Sequence, residues 1–362
     1  MNKKKYRVVH CGTGPTGIPG LRGIVNHPDL ELIGHLVFDP VKDDMDSGQL
    51  GKLGRDIGIK ATRDVDALIA LKPDYFCYLG DGVGQLQNSL SIICRFLEAG
   101  VNVGTAALFG TLNWKVAPAE LREPIEKACI RGNSSYYFSG IDPGFASPWL
   151  AVAMLQSADE VSEIRMQELS DYAIYPVEWV MREVFGFGKP RDFKCALSDG
   201  SHIARTWTAT VNAVANRMGI VLEDRRVFFE NCTYDKAHNT FWGQVDANTV
   251  AAVRFGIEGI YKGKPFIVLE HINRTTDNAA PHWPKPQFEP GKELHHQWTV
   301  LIKGNPDLAC RIDTGLTRDR EDAGLAATAM TIVNAARSVI EQPPGIIDAM
   351  DLPLYTTRSI VV

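Results

Sequence analysis

The stretch Cys11-Gly12-Thr13-Gly14-Pro15-Thr16-Gly17 constrains this chain more than any other. It follows a short β-type run, Arg7–Cys11, and leads into a helical segment, Thr16–Asn26, that stops at His27-Pro28. Glycines spaced Gly-x-Gly-x-x-Gly between a strand and a helix supply a tight turn, a bare backbone surface and a close helix–strand contact, in that order. Such a turn belongs to a βαβ unit, so the strand is expected in a parallel sheet. The amides that open the helix favour an anion, and a pyrophosphate is the anion this turn suits. Gly12, Thr13, Gly14, Pro15, Thr16 and Gly17 are therefore the expected dinucleotide contacts.

The second strand, Leu30–Phe38, runs into Asp39, where a carboxylate accepts hydrogen bonds from ribose hydroxyls and favours NAD. Lys42 follows closely and could take the 2′-phosphate of NADP. Both cofactors stay open, with NAD preferred. Helices over Asp64–Leu71, Leu86–Ala99 and Pro118–Arg131 alternate with strands over Tyr75–Leu79, Asn102–Ala106 and Ser135–Ser139. Gly80, just past one of these strands, and Ala106, at the end of another, are expected against cofactor, because ligands bind at the carboxyl ends of parallel strands.

After Gly144 the pattern changes. Ser147–Gln156 and Ser201–Met218 read as helices and Val161–Leu169 as a strand. Val250–Tyr261 and Pro265–Asn273 flank Lys262-Gly263-Lys264, and Trp298–Lys303 and Ala309–Asp313 flank Gly304-Asn305-Pro306; both read as hairpins. The fold class is thus α/β. Residues 1–145 form a Rossmann-type parallel sheet completed by a C-terminal helix over 320–345. Residues 146–319 form a second, α+β domain on a mixed or antiparallel open sheet, expected to bind substrate.

A formal net charge of −5 argues against nucleic-acid binding. Seven scattered cysteines without a C-x-x-C pair argue against a disulfide framework or a metal site and for a reducing, cytoplasmic setting. No uninterrupted apolar run of about 18 residues suggests a membrane span. A small-molecule substrate is the partner this leaves.

Hydride chemistry needs a proton partner beside the nicotinamide. Asp142, in Ile141-Asp142-Pro143-Gly144 after the sixth strand, is one candidate. Glu168, on one strand face with Ser170, and Tyr172 are others, although carboxylates at such a strand end are ordinarily solvated. Tyr175, Trp179 and Trp207 belong to an aromatic-rich stretch that suits a bulky apolar or aromatic substrate. His202 opens a helix, and His282 lies in the proline-rich loop Thr275–Pro290, which could cover a site. His271, with Glu270 and Arg274, ends a strand.

Several motifs carry a family likeness: Gly12–Gly17, His27-Pro28-Asp29-Leu30-Glu31-Leu32, Gly140-Ile141-Asp142-Pro143-Gly144-Phe145, and Asn334-Ala335 leading to Pro343-Pro344-Gly345-Ile346. Through them the chain resembles proteins with a dihydrodipicolinate reductase N-terminal domain, and more narrowly 2,4-diaminopentanoate dehydrogenases and native amine dehydrogenases. The resemblance implies a nicotinamide cofactor, a homodimer formed through the second domain, and Asn334 near the nicotinamide. It also implies an acidic residue after the fifth strand, where this chain has Ala107-Leu108-Phe109, which leaves Leu108 as a substrate contact. Two readings follow. One is an NAD(P)-dependent oxidoreductase acting on a ketone, imine, alcohol or amine of aromatic or hydrophobic character. The other is an NAD-retaining lyase or isomerase.

Overall fold

The computed structural model describes residues 4–82, 84–287, 296–314 and 323–360. The end of the proline-rich loop at 288–290, the domain boundary at 319 and residues 320–322 of the expected last helix lie outside the described residues. The chain divides into two units, Met1–Gly144 with Leu325–Val362, and Phe145–Gly324.

The first unit alternates β1 (Tyr6–Cys11), α1 (Gly17–Asn26), β2 (Leu30–Leu36), α2 (Ser47–Leu50), β3 (Ala61–Thr62), α3 (Val65–Ala70), β4 (Tyr75–Tyr78), α4 (Leu86–Glu98), β5 (Asn102–Thr105), α5 (Ala119–Gly132) and β6 (Ser135–Phe138). The sheet order is β15-β6-β5-β4-β1-β2-β3, where β15 is the late strand Gly345–Ile347, and every pairing is parallel. Parallel strands are covered on both faces, which explains why Val8, Val9 and all of Tyr75–Tyr78 are fully buried. The chain reverses its winding direction at β1, with β2 on one side and β4 on the other. That crevice is where open α/β sheets bind ligands. β3 and β15 are too short to show a two-residue period, so the sequence pattern passes over them.

The second unit contains α6 (Trp149–Leu155), β7 (Glu160–Asp171), α7 (Ser201–Arg217), β8 (Asp224–Tyr234), β9 (His238–Thr240), β10 (Gly243–Val245), β11 (Thr249–Tyr261), β12 (Lys264–Arg274), β13 (His296–Asn305) and β14 (Leu308–Asp313). Its main sheet runs β14-β13-β7-β12-β11-β8, with β12 and β7 parallel and the other neighbours antiparallel. Lys262 and Gly263 both have positive φ, 51° and 75°, which is what a two-residue turn joining twisted strands demands. One face packs Ile164, Met166, Ile257, Leu269, Val300 and Ile302 against Ala151 of α6 and Val211 and Val214 of α7. The opposite face carries Glu270, which receives Arg165 Nη1 at 2.7 Å, Gln167 Nε2 at 2.8 Å and Arg254 Nη2 at 2.7 Å.

The last helix, α8 (Ala323–Ile340), is 18 residues long with a mean hydropathy of 1.3, enough in length and composition to cross a bilayer. This amends the expectation that no such segment exists. In the fold, Ile332, Val333, Ala336 and Val339 join the core of the parallel-sheet unit, and the buried hydroxyl of Tyr75 donates to the Ile332 carbonyl at 3.1 Å.

Candidate active site

At the β1–α1 turn, Gly12 has φ 131°, and a Cβ on it would sit 2.6 Å from the Leu79 carbonyl oxygen. A Cβ on Gly17 would sit 2.3 Å from the Gly12 carbonyl carbon, so these two glycines lock strand, turn and helix together. Gly14, by contrast, has nothing within 4 Å of an added Cβ among the described residues. Bare backbone between two locked glycines, ahead of a helix N-terminus, fits a diphosphate. His10 Nε2 donates to the Gly12 carbonyl at 2.9 Å from inside the fold, so that carbonyl points away from the anion position. Burial drives the His10 pKa down to about 3, with His35 adding to the effect, and burial drives His35 down to about 4. Both imidazoles are thus neutral near pH 7.

Lys42 Nζ donates to Thr13 Oγ1 at 2.8 Å, which joins the end of the second βα connection to the glycine turn. The Asp39 carboxylate caps a short turn by accepting from the Val41 amide at 3.0 Å. Gly80 lies just beyond β4, where a Cβ would meet the Tyr78 ring at 2.9 Å. Ala106 packs against the core beside β5.

In the second unit, strand register brings polar residues into two rows. Phe255 of β11, His271 of β12, Glu168 of β7 and Trp298 of β13 stand side by side across four strands. Val253, Asn273, Ser170 and His296 form the next row. Alternation puts both rows on the helix-covered face, two or four residues beyond Met166 and Leu269. Glu168 is 8% exposed, not solvated as its strand-end position suggests, because hydrogen-bond donors surround it. Its Oε1 accepts from Tyr172 Oη at 2.9 Å and Asn273 Nδ2 at 3.1 Å, and lies 3.4 Å from His271 Nδ1. Its Oε2 accepts from Trp298 Nε1 at 3.2 Å. Burial alone would raise the Glu168 pKa, but the neighbouring His271, with His296 and the Tyr172 hydroxyl, outweighs it and holds the carboxyl well below the usual range.

Rings enclose this cluster. His271 stacks on Phe255 at 4.9 Å between centroids and meets Trp207 at 4.7 Å. Tyr172 packs on Tyr175 at 5.3 Å and edge-on against Phe185 at 5.1 Å. His296 Nδ1 lies 3.0 Å from Ser170 Oγ.

Of the residues singled out from sequence, Glu168, Tyr172, Tyr175 and Trp207 come together here. Asp142 belongs to the other unit, in the turn Gly140–Gly144 after β6, which is tied to α8 by the Ile141 amide donating to Thr328 Oγ1 at 3.2 Å. Leu108 is buried in that unit, its carbonyl accepting from Thr111. Four other candidates have the following surroundings. Trp179 is 51% exposed and stands outside the aromatic cluster, because the chain turns its neighbour Met181 inward instead. His282 is exposed; Trp283 fills the loop interior, and the buried Arg274 guanidinium ties the loop by donating to the carbonyls of Ala279, Ala280 and Trp283. His202 is half-buried on the first turn of α7, next to Arg205 at 3.2 Å. Asn334 lies two residues past Ile332, about 200° around α8, on the side away from the buried stripe.

His271, Asn273 and Trp298 join the cluster without having been singled out as site residues from the sequence. The signal was the strand period: Glu168 and Ser170 share a face at spacing two, as do His271 and Asn273, whereas Glu270 and Arg274 project from the other side; Tyr172 opens the short turn that follows β7.

Residues 145–360 match the family model described as the 2,4-diaminopentanoate dehydrogenase C-terminal domain. An amine dehydrogenase from Streptomyces virginiae is 32% identical over 345 residues, covering 95% of each chain. The structure of an amine dehydrogenase from Mycobacterium smegmatis superposes with a TM-score of 0.72 at 17% identity, covering 99% of each chain. A myo-inositol 2-dehydrogenase from Lactobacillus plantarum shares the fold at a TM-score of 0.52 and 13% identity, over 94% of this chain and 91% of that one. On the family model and the Streptomyces relative together, this chain belongs to the amine dehydrogenase family defined by the 2,4-diaminopentanoate dehydrogenase C-terminal domain and is an NAD(P)-dependent oxidoreductase.

Proposed function

We propose that the chain interconverts a primary amine and its ketone or aldehyde, releasing or fixing ammonia, on a substrate with an aromatic or bulky apolar group. The observation that carries this reading is the buried Glu168 carboxylate, held against His271 and Tyr172 and walled by Phe255, Trp207 and Tyr175. The position after β5, where the resemblance expects an acid, carries Ala107-Leu108-Phe109. In this reading β7 supplies the carboxylate instead. When bound, the nicotinamide exchanges a hydride with the substrate carbon.

The residues divide the remaining work. Glu168 stays ionised across the working range, so it is a poor proton donor and a good anchor. It orients the His271 ring through Nδ1 and stabilises the imidazolium, and His271 passes the proton to and from the reacting nitrogen or oxygen. The Tyr172 hydroxyl fixes the carboxylate from the other side. The aromatic walls accept an apolar substituent and exclude water. The glycine turn, with Asp39 and Lys42, would hold the dinucleotide; Asp39 supports NAD, and Lys42 beside Thr13 leaves room for NADP. The second unit would bind substrate and pair two copies into a homodimer through the face bearing Arg165, Arg254 and Glu270. Seven free cysteines support work in the cytoplasm. The matching relatives support the dehydrogenase and not the lyase.

The test follows absorbance at 340 nm while purified protein meets NADH or NADPH and an aryl or branched ketone, with and without ammonium. Oxidation that requires both ketone and ammonium is expected. Oxidation indifferent to ammonium would identify a carbonyl reductase and overturn the amine reading. Ketone turnover without net cofactor change would favour the lyase.

A further inference from the structure

Asn273 stands in the second row of the sheet, beside Ser170 and two residues beyond His271 on the same face. Its side chain is fully buried. The orientation of the amide is fixed by chemistry: a carboxylate only accepts, so the atom 3.1 Å from Glu168 Oε1 must be Nδ2. The carbonyl oxygen Oδ1 therefore lies on the opposite edge of a planar group. That oxygen has no hydrogen-bond partner among the described residues. A buried acceptor left unmatched is costly, and native structures rarely keep one unless a ligand or an ordered water completes it. Glu168 cannot serve in its place, since both of its oxygens already accept from donors.

Resting on the amine reading above, we propose that Asn273 Oδ1 receives one N–H of the substrate's amine or iminium nitrogen and selects nitrogens that carry two hydrogens. An iminium made from ammonia has two N–H bonds. One is directed to His271, which moves the proton; the other is accepted by Asn273. An iminium made from methylamine has a single N–H and cannot satisfy both. Asn273 is thus a specificity-determining residue that favours ammonia over alkylamines, while Glu168 positions Asn273 and His271 together. A buried oxygen that only accepts also disfavours an incoming carbonyl oxygen, which has no hydrogen to donate.

The experiment compares wild type with Asn273→Leu, which keeps the branched outline but is bulkier and removes both the Oδ1 acceptor and the Nδ2 donor to Glu168, so the ammonium-over-methylammonium preference is the readout specific to Oδ1. Steady-state rates are measured with ammonium and with methylammonium at fixed ketone and NAD(P)H. The expected result is a rise of about 10- to 100-fold in the KM for ammonium, the KM for cofactor within twofold of wild type, and a smaller ammonium-over-methylammonium preference. Unchanged ammonium KM and preference in N273L would overturn the proposal, and would assign Oδ1 to an ordered water. A second readout uses wild type alone, without cofactor: thermal stabilisation by a primary amine should exceed that by its N,N-dimethyl analogue, and equal stabilisation would also overturn the proposal. The two levels fail separately. If wild type ignores ammonium altogether, the amine reading falls; if wild type needs ammonium and N273L matches it, only the role of Asn273 falls.

Discussion

Glu168 shows how one residue's chemistry is set by its neighbours. An isolated carboxylate with its burial would resist ionisation, but three side-chain donors and His271 make ionisation the stable state. Its folded pKa lies below its unfolded one, so this contribution to stability is complete above the unfolded value, and it is lost as pH falls towards the folded value. Glu168→Gln keeps the shape but not the charge that steadies an imidazolium. A kcat drop of about 100-fold is expected, with the KM for cofactor nearly unchanged; a cofactor KM that rises as much as kcat falls would point to a structural role. Lys42 gives a residue-scale prediction at the dinucleotide end. Removing its ammonium in Lys42→Ala should weaken NADPH about 10-fold and NADH far less, checked by fluorescence titration with each cofactor. Equal losses would mean that Lys42 serves the turn through Thr13 rather than a phosphate.

At the scale of elements, the β1–α1 turn and the adjoining β2 act as one device. Gly12 and Gly17 leave no room for side chains, and His10 grips the turn from below. Gly17→Ala should destabilise the fold by about 1–3 kcal/mol, measured by urea unfolding, and weaken cofactor binding as well. The buried imidazoles of His10 and His35 set a pH response. Their folded pKa values, about 3 and about 4, lie below the ordinary imidazole value of about 6.5, so the unfolded chain binds more protons between those limits. Stability is full above about pH 6.5 and falls as pH drops through 4 towards 3. His35→Gln should flatten that slope in melting curves taken across the range, and an unchanged slope would assign the acid sensitivity elsewhere. The glycine turn was legible in the sequence because each glycine answers a local steric demand. The Glu168 cluster was only half legible: period-two spacing gave Glu168 and Ser170 one face, but which strands lie beside β7 is a long-range fact of register. Local pattern cannot show that β12 and β13 flank it. The surroundings of Asn334 were not legible, since its side of α8 depends on which stripe of an Ala-rich helix is buried.

At the scale of the molecule, two units divide along the change in sequence grammar near Gly144, and the chain returns to the first unit for α8 and β15. The strand order of the parallel sheet places the glycine turn at its reversal point, and the mixed sheet gathers the acid, the imidazole and the aromatic walls on its helix-covered face. The other face of that sheet keeps Glu270 between two arginines. Sedimentation analysis should find a dimer, and Glu270→Ala, which leaves Arg165 and Arg254 uncompensated, should shift it towards monomer; a monomer in the wild type would contradict the pairing. On the proposed function, this scaffold forms a carbon–nitrogen bond. Reaction of an aryl ketone with NAD(P)H and ¹⁵N-labelled ammonium, read by mass spectrometry, tests it most directly: a primary amine carrying the heavy nitrogen is the predicted product, and an alcohol, with no nitrogen incorporated, would contradict it.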